Sequence, residues 1–325
     1  MLKKIVFLGT GGTIAGTAVN AGDNVGYTAA QVGLGELLQA IPSLQSALGD
    51  YAFSSEQVSQ VDSKDIGWVQ WRALAERIQS HLTDPAVAAV VVTHGTDTLE
   101  ETAFFLSQVL AGNLLAQKPV VLTCAMRPAS SLAPDGPQNV LDAVAVARST
   151  QARGVLAVCA GMVHAAHDIQ KIHPYRPNAF DSGDAGPLAY VEEGRVRWLH
   201  TCPVAEIAAT SESWAALSRD TWPRVEIVMS YAGATGAMVR ALCAPPMGLS
   251  QPVQGIVVAG TGNGTIHQEL EPALREAQAQ GVRVVRATRC AYGDVVAGNA
   301  VGNFPVLQGL SPVKARIALM LELMA

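Results

Sequence analysis

Residues 86–112 read AVAAVVVTHGTDTLEETAFFLSQVLAG, and the three parts of this run obey different rules. The first part is apolar at almost every position. A strand without polar alternation must be buried on both faces, as in a parallel sheet covered by helices. The run then breaks at a polar corner, Thr93-His94-Gly95-Thr96-Asp97-Thr98. A helical pattern follows, with Glu100 and Glu101 in its first turn, where acids favour a helix start. Strand, turn and helix in this order make half of a right-handed crossover unit.

The same rhythm recurs on both sides. KKIVFLG (3–9) runs into TGGTIAG (10–16), and KPVVLTCAM (118–126) leads through RPASS to the helical pattern GPQNVLDAVAVARST (136–150), followed by RGVLAVCAG (153–161). Near Pro187 the pattern changes: GPLAYVEEGRVRWLH (186–200) alternates like a hairpin turning at Glu192, Glu193 and Gly194. Residues 200–222 are mixed and read as a helix-poor linker. A second strand–turn–helix block then follows: RVEIVMSYAGA (224–234), GIVVAGTGNGT (255–265), IHQELEPALREAQAQ (266–280), VRVVRATRC (282–290) and SPVKARIALMLELMA (311–325). The expected organisation is α/β, with a large domain over 1–199, a linker over 200–222 and a smaller α/β domain over 223–325.

Of the 325 residues, 49% are hydrophobic and 15% charged, which suits a packed globular protein. The net charge of −5, without a basic run, argues against a nucleic-acid partner. No stretch reaches the roughly 18 apolar residues of a membrane span, and the apolar IVFL (5–8) is too short for a signal segment. Cys124, Cys159, Cys202, Cys243 and Cys290 are odd in number and form no CxxC, so they read as reduced thiols of a cytoplasmic protein.

In parallel sheets, ligands bind beyond the carboxyl ends of the strands, so the polar turns there are where chemistry is expected. Gly9-x-Gly11 opens like a dinucleotide fingerprint, but its third glycine would fall at Ile14, and Asp23 sits in a polar loop. What the first turn offers is a pair of hydroxyls, Thr10 and Thr13, on glycines that let a ligand approach. In the second turn, Thr98, Glu100 and Glu101 are explained by a helix start; Thr96 beside Asp97 is not. A hydroxyl next to a carboxylate can hold an ammonium group or position a water.

Taken together, the two turns resemble the signature segments of the bacterial-type L-asparaginase and glutaminase-asparaginase family. TGGTIAG and HGTDTLEET (94–102) carry the resemblance, and AMRPASS (125–131), DGPQN (135–139), HDIQK (167–171), GPLAY (186–190), GNG (262–264) and SPVKAR (311–316) extend it over nearly the whole chain. The resemblance implies a flavodoxin-like parallel sheet in the large domain. It implies Thr13 as nucleophile, Tyr27 of VGYTAAQVG (25–33) on a closing loop, and Thr96, Asp97 and Lys171 as a second catalytic group. Substrate would be bound by Gly12, by Ser63 of VDSKD (61–65) at its α-carboxylate, by Asp97 at its α-ammonium and by the backbone at Ala125. Asn263 would reach the site from a neighbouring subunit of a homodimer or homotetramer.

The implied activity is hydrolysis of L-asparagine to aspartate and ammonia through an acyl-threonine, with no metal or organic cofactor. Broader glutaminase-asparaginase activity, an ammonia-generating amidotransferase subunit and a non-catalytic amino-acid-binding relative are the alternatives. A threonine hydroxyl is a poor nucleophile until a neighbour takes its proton, and glycine-turn N–H groups can stabilise the oxyanion that forms. The sequence departs from the family in three places. His167 stands for an arginine and Lys64 for a glutamine, and ATRCAYGDVVAGNA (287–300) lacks the glutamate that several relatives supply there, with Asp294 its one acid.

Overall fold

The computed structural model describes residues 2–203, 211–245, 251–296 and 304–325. The chain divides into two compact units, Met1–Ala209 and Thr210–Ala325. In the first, β1 (Lys4–Gly11) leads through β2 (Thr17–Ala18) and β3 (Tyr27–Thr28) to helices α1 (Leu34–Gln39) and α2 (Leu44–Leu48). Then come β4 (Ala52–Val61), α3 (Trp68–Thr83), β5 (Val87–Thr93), α4 (Leu99–Val109), α5 (Gly112–Leu115), β6 (Val120–Thr123) and α6 (Gly136–Arg148). The unit ends with β7 (Val155–Cys159), β8 (Met162–Ala165), β9 (Gln170–Lys171), β10 (Phe180–Asp181), β11 (Ala189–Glu192) and β12 (Arg195–Trp198).

Eight strands form one sheet in the order β12-β11-β8-β7-β6-β5-β1-β4. Strands β4, β1, β5, β6 and β7 are parallel, whereas β8, β11 and β12 run antiparallel to their neighbours. The parallel part is the sheet expected from the apolar runs. The antiparallel extension begins because only Ala160 and Gly161 separate β7 from β8, and both take positive φ (49° and 74°). A two-residue turn of that kind closes a hairpin, while a parallel return needs a dozen residues or more.

Both faces of the sheet are covered. Ile5, Phe7, Ala89 and Val91 pack with residues of α1, α2 and α6 in one cluster. Val6, Leu8, Val90 and Val92 are equally buried on the other face. There α3 and α4 pack, joined by Trp71 stacked on Phe105 at 4.9 Å and by the Trp71 Nε1–H bond to Thr102 Oγ1 (2.8 Å). The strand order reverses at β1, which has β4 on one side and β5 on the other. Connections leave in opposite directions at such a point, and a crevice opens beyond the carboxyl ends of the strands.

The second unit is a three-stranded parallel sheet of β13 (Val225–Met229), β14 (Gly255–Gly260) and β15 (Arg283–Thr288), with helices α7 (Ser211–Leu217), α8 (Ala237–Cys243), α9 (Glu271–Ala279) and α10 (Pro312–Met324). Its own core joins Val228, Val239, Ile256, Val258, Leu274 and Val284. One boundary differs from expectation. The stretch 200–222, read as a helix-poor linker, contains α7, which packs against α10 of the second unit. At seven residues the helix is too short to show a clear apolar period.

His94 caps the end of β5. Its N–H continues the ladder to Thr123 O (2.9 Å) and its ring is fully buried. Ring Nδ1 lies 2.7 Å from Gly95 O, so Nδ1 carries the hydrogen, and Nε2 finds no protein partner among the described residues. Burial holds the imidazole down at about 4 against an ordinary 6.5, partly opposed by the bond to Gly95. The unfolded chain therefore takes up a proton at higher pH than the folded one. Stability from His94 is whole above pH 6.5 and is lost as the pH falls toward about 4. In urea titrations between about pH 7 and about pH 4, a His94→Asn protein should lose about 3 kcal/mol less unfolding free energy than the unsubstituted protein. Equal losses in the two would show that the ring is not held neutral.

Candidate active site

Four adjacent strands deliver the residues singled out above. Ser63 follows β4, Thr13 follows β1, Thr96 follows β5 and Ala125 follows β6, in the order these strands take in the sheet. β1 and β5 are tied by the Thr10 hydroxyl, which donates to Thr93 O (3.1 Å). The turns beyond them then meet backbone to backbone. A Cβ on Gly12 would overlap Gly95 Cα and N, and a Cβ on Gly95 would overlap Ser63 Oγ. Gly12 also has φ 84° and Gly11 φ 100°, values that L side chains rarely adopt.

Two polar groups stand on these turns. In the first, Thr13 opens a single helical turn and is 6% exposed, with its Oγ1 2.7 Å from the Tyr27 hydroxyl. Tyr27 reaches it from β3, which pairs with β2, so the loop expected to close the site folds as a small hairpin. Asp23 shapes the hairpin tip by accepting N–H bonds from Val25 (2.8 Å) and Gly26 (2.7 Å), which hold its carboxyl below the usual carboxylate range. The hairpin is fastened by Ala18 N–H to Ser130 Oγ (2.8 Å) and Leu132 N–H to Ala21 O (3.1 Å).

In the second group, Lys171 Nζ donates to Thr96 Oγ1 (2.9 Å) and Asp97 Oδ1 (2.6 Å). Thr96 is 4% exposed, while the Asp97 side chain is 52% exposed. Ser63 locks this corner. Its Oγ accepts the Asp97 N–H (3.1 Å) and its carbonyl accepts the Thr98 hydroxyl (2.8 Å). The Gly12 N–H is given to Val61 O (3.0 Å). The Thr13 N–H, first in its helical turn, has no intrahelical acceptor and is the candidate oxyanion donor.

Sequence reading missed the groups that hold the turn after β6. Asp135 accepts the N–H of Met126 (3.0 Å) and Arg127 (2.9 Å), and Asn139 donates to Cys124 O (2.9 Å) and accepts from Ala160 N–H (3.0 Å). Both belong to DGPQN, so the motif was visible and the bonds were not. Two of the three departures are accounted for, and residues 297–300 of the third lie outside the described residues. Lys64 turns to Asp65 (2.6 Å) and Asp62 (3.1 Å), so its charge is balanced beside Ser63. His167 pairs with Asp168 (2.7 Å) and meets Phe104 edge-on. Asn263 lies in the second unit, where its amide donates to Val296 O (3.0 Å) and accepts from Val296 N–H (2.7 Å); Asp294 is exposed two residues before Val296.

The close approach of the turns is testable. Gly95→Ala should lower the unfolding free energy by about 1–3 kcal/mol, the usual penalty of overpacking. Gly35→Ala, in α1 with open space around it, should leave stability unchanged or raise it by up to about 1 kcal/mol. Equal responses in urea would mean the turns do not touch.

The family profile "Asparaginase, N-terminal" matches residues 4–203, and "Glutaminase/Asparaginase C-terminal domain" matches residues 224–325. The chain is 34% identical to "L-asparaginase 2" of Escherichia coli (strain K12) over 330 residues, covering 99% of this chain and 89% of that one. It is also 34% identical to "Glutaminase-asparaginase" of Pseudomonas fluorescens biotype A over 329 residues, covering 99% and 86%. Among solved structures, a "Probable Cytoplasmic L-asparaginase" from Campylobacter jejuni superposes with a TM-score of 0.87 at 33% identity, covering 99% of this chain and 95% of that one. With both domain profiles matched in order and full-length relatives above thirty per cent identity, the chain belongs to the asparaginase family.

Proposed function

We propose that this protein hydrolyses the side-chain amide of L-asparagine to L-aspartate and ammonia through an ester on Thr13. The observation that carries the reading is the pairing of each turn threonine with its own proton partner: Thr13 with Tyr27 at 2.7 Å, and Thr96 with Lys171 at 2.9 Å. In the first step Thr13 Oγ attacks the carboxamide carbon. Its proton passes to the Tyr27 oxygen, and the phenol's own proton goes to the departing nitrogen, so ammonia leaves and no free phenolate accumulates. The Thr13 N–H faces the oxygen that gains charge in the tetrahedral intermediate.

In the second step water attacks the ester carbonyl. Thr96 accepts the water's proton while giving up its own, which is passed to Thr13 Oγ as the ester C–O bond breaks; Lys171 Nζ donates to Thr96 Oγ1 throughout and sets its orientation. Asp97 holds the α-ammonium of the substrate, and Ser63 donates to its α-carboxylate. The relatives include enzymes named for asparagine and for glutamine, at equal identity. Glutamine is longer by one methylene, which in a closed pocket typically changes kcat/KM by about 10- to 200-fold. We further infer a cytoplasmic homodimer or homotetramer in which Asn263 completes a neighbour's site. The Campylobacter jejuni protein is titled cytoplasmic, although a Haemophilus influenzae relative is named "Probable L-asparaginase periplasmic". No helix among the described residues is long and apolar enough to cross a membrane.

Thr13→Ala and Thr96→Val should each cut ammonia release from asparagine by at least about a thousandfold with unchanged thermal unfolding, since residues acting as one unit fail together. Near-native turnover in purified Thr13→Ala would overturn the nucleophile. For the unsubstituted protein, kcat/KM on asparagine should exceed that on glutamine by about tenfold or more. Equal values would assign it the broader specificity, and no ammonia from either would leave a binding protein.

A further inference from the structure

We propose that Glu100 is a positioning residue for the amide hydrolysis, acting through Lys171; this rests on the role given to Lys171 above. Lys171 is far from Thr96 and Asp97 in sequence and sits outside the main sheet. It belongs to β9, whose two residues pair with β10 in a separate two-stranded ladder. On its near side the strand is anchored by buried Ile169, whose N–H donates to Ala165 O (3.0 Å). No ladder hydrogen bond joins β9 to β5, so the sheet does not dictate how Lys171 stands over the turn.

Glu100 supplies that register. Its Oε1 accepts the main-chain N–H of Lys171 at 3.3 Å. Glu100 lies in the first turn of α4, which starts at Leu99 directly after Thr96 and Asp97. One bond therefore locates the lysine backbone on the same rigid corner that carries its two side-chain partners. An acid is favoured at a helix start whether exposed or partly buried, and Glu100 adds a specific contact to that: it is only 9% exposed, while Glu101 in the same turn is more exposed, and the Glu100 Oε1 accepts the Lys171 N–H. The buried carboxylate gives the Lys171 N–H a charged acceptor, and charge-assisted acceptors form the stronger bonds. Displacing a catalytic group by about an ångström can slow turnover by about a hundredfold, so a loosened tether should be read in kcat rather than in binding.

Three variants separate the tether from a merely structural role. Glu100→Met keeps the stem and removes the acceptor; Glu100→Asp keeps the charge and shortens the reach; Glu100→Gln keeps an acceptor oxygen at full reach. With asparagine as substrate and ammonia as readout, Met and Asp should each lower kcat by about tenfold or more with KM within about twofold, while Gln stays within about threefold of the unsubstituted protein. In a Lys171→Met background, Glu100→Asp should add no further loss, because both act on one step. If the Met protein does not fold, the Asp and Gln proteins decide the matter. A folded Glu100→Asp protein with native kcat, a tenfold loss in Glu100→Gln, or a loss of equal size with and without Lys171 each overturns the tether. Absence of ammonia release from the unsubstituted protein would instead overturn the proposed function.

Discussion

The approach of two backbones, closer than any side chain would allow, organises this site. The turn after β1 and the turn after β5 meet at Gly12 and Gly95, and neither position has room for a Cβ. Strand pairing brings the turns near each other, because β1 and β5 are neighbours in the sheet. The glycines then remove the last few ångströms and let Ser63 close in from β4. The strand order reverses at β1, where a crevice is expected beyond the strand ends, and the glycine contact draws the turns that carry Thr13 and Thr96 together.

Charge is arranged around that floor in a graded way. Lys171 is mostly buried and meets two carboxylates differently: Asp97 at its ammonium, and Glu100 at its main chain. Asp97 keeps half its surface open and can share itself with an incoming cation. Glu100 is enclosed and holds the Lys171 main chain. The zwitterionic end of an amino acid suits this layout, since an acceptor at Asp97 and a donor at Ser63 lie on the same hydrogen-bonded corner. The Thr13 hydroxyl is buried where Tyr27 reaches it from the β2–β3 hairpin.

The positions where the chain departs from its family follow the same logic of local balance. A lysine beside the serine corner would add charge to an anion site, but Asp62 and Asp65 bind it from either side and turn it to solvent. His167 finds Asp168 as a partner. The second unit, built on its own core, presents Asn263 on a turn braced against Val296.

The apolar runs, the glycine turns and the two threonine corners were legible in the sequence, because each depends on residues within a few positions of one another. Burial on both faces writes itself as an unbroken apolar strand, and a sharp turn writes itself as glycine. Thr13 and Thr96 could be picked out for the same reason, whereas Tyr27 and Lys171 came only from the family resemblance. What stayed hidden was pairing across long separations. The antiparallel return at Ala160-Gly161 hung on a non-glycine residue with positive φ, and α7 was too short to show a period. Glu100 looked like any acid at a helix start until the fold set it against a main-chain N–H seventy-one residues away. Asp135 and Asn139 likewise show their roles only beside the turn after β6. Local periodicity and turn chemistry determine the elements of this protein. Which polar groups face each other is decided by strand order and close packing, since a hydrogen bond depends on where two atoms are and not on how far apart they are along the chain.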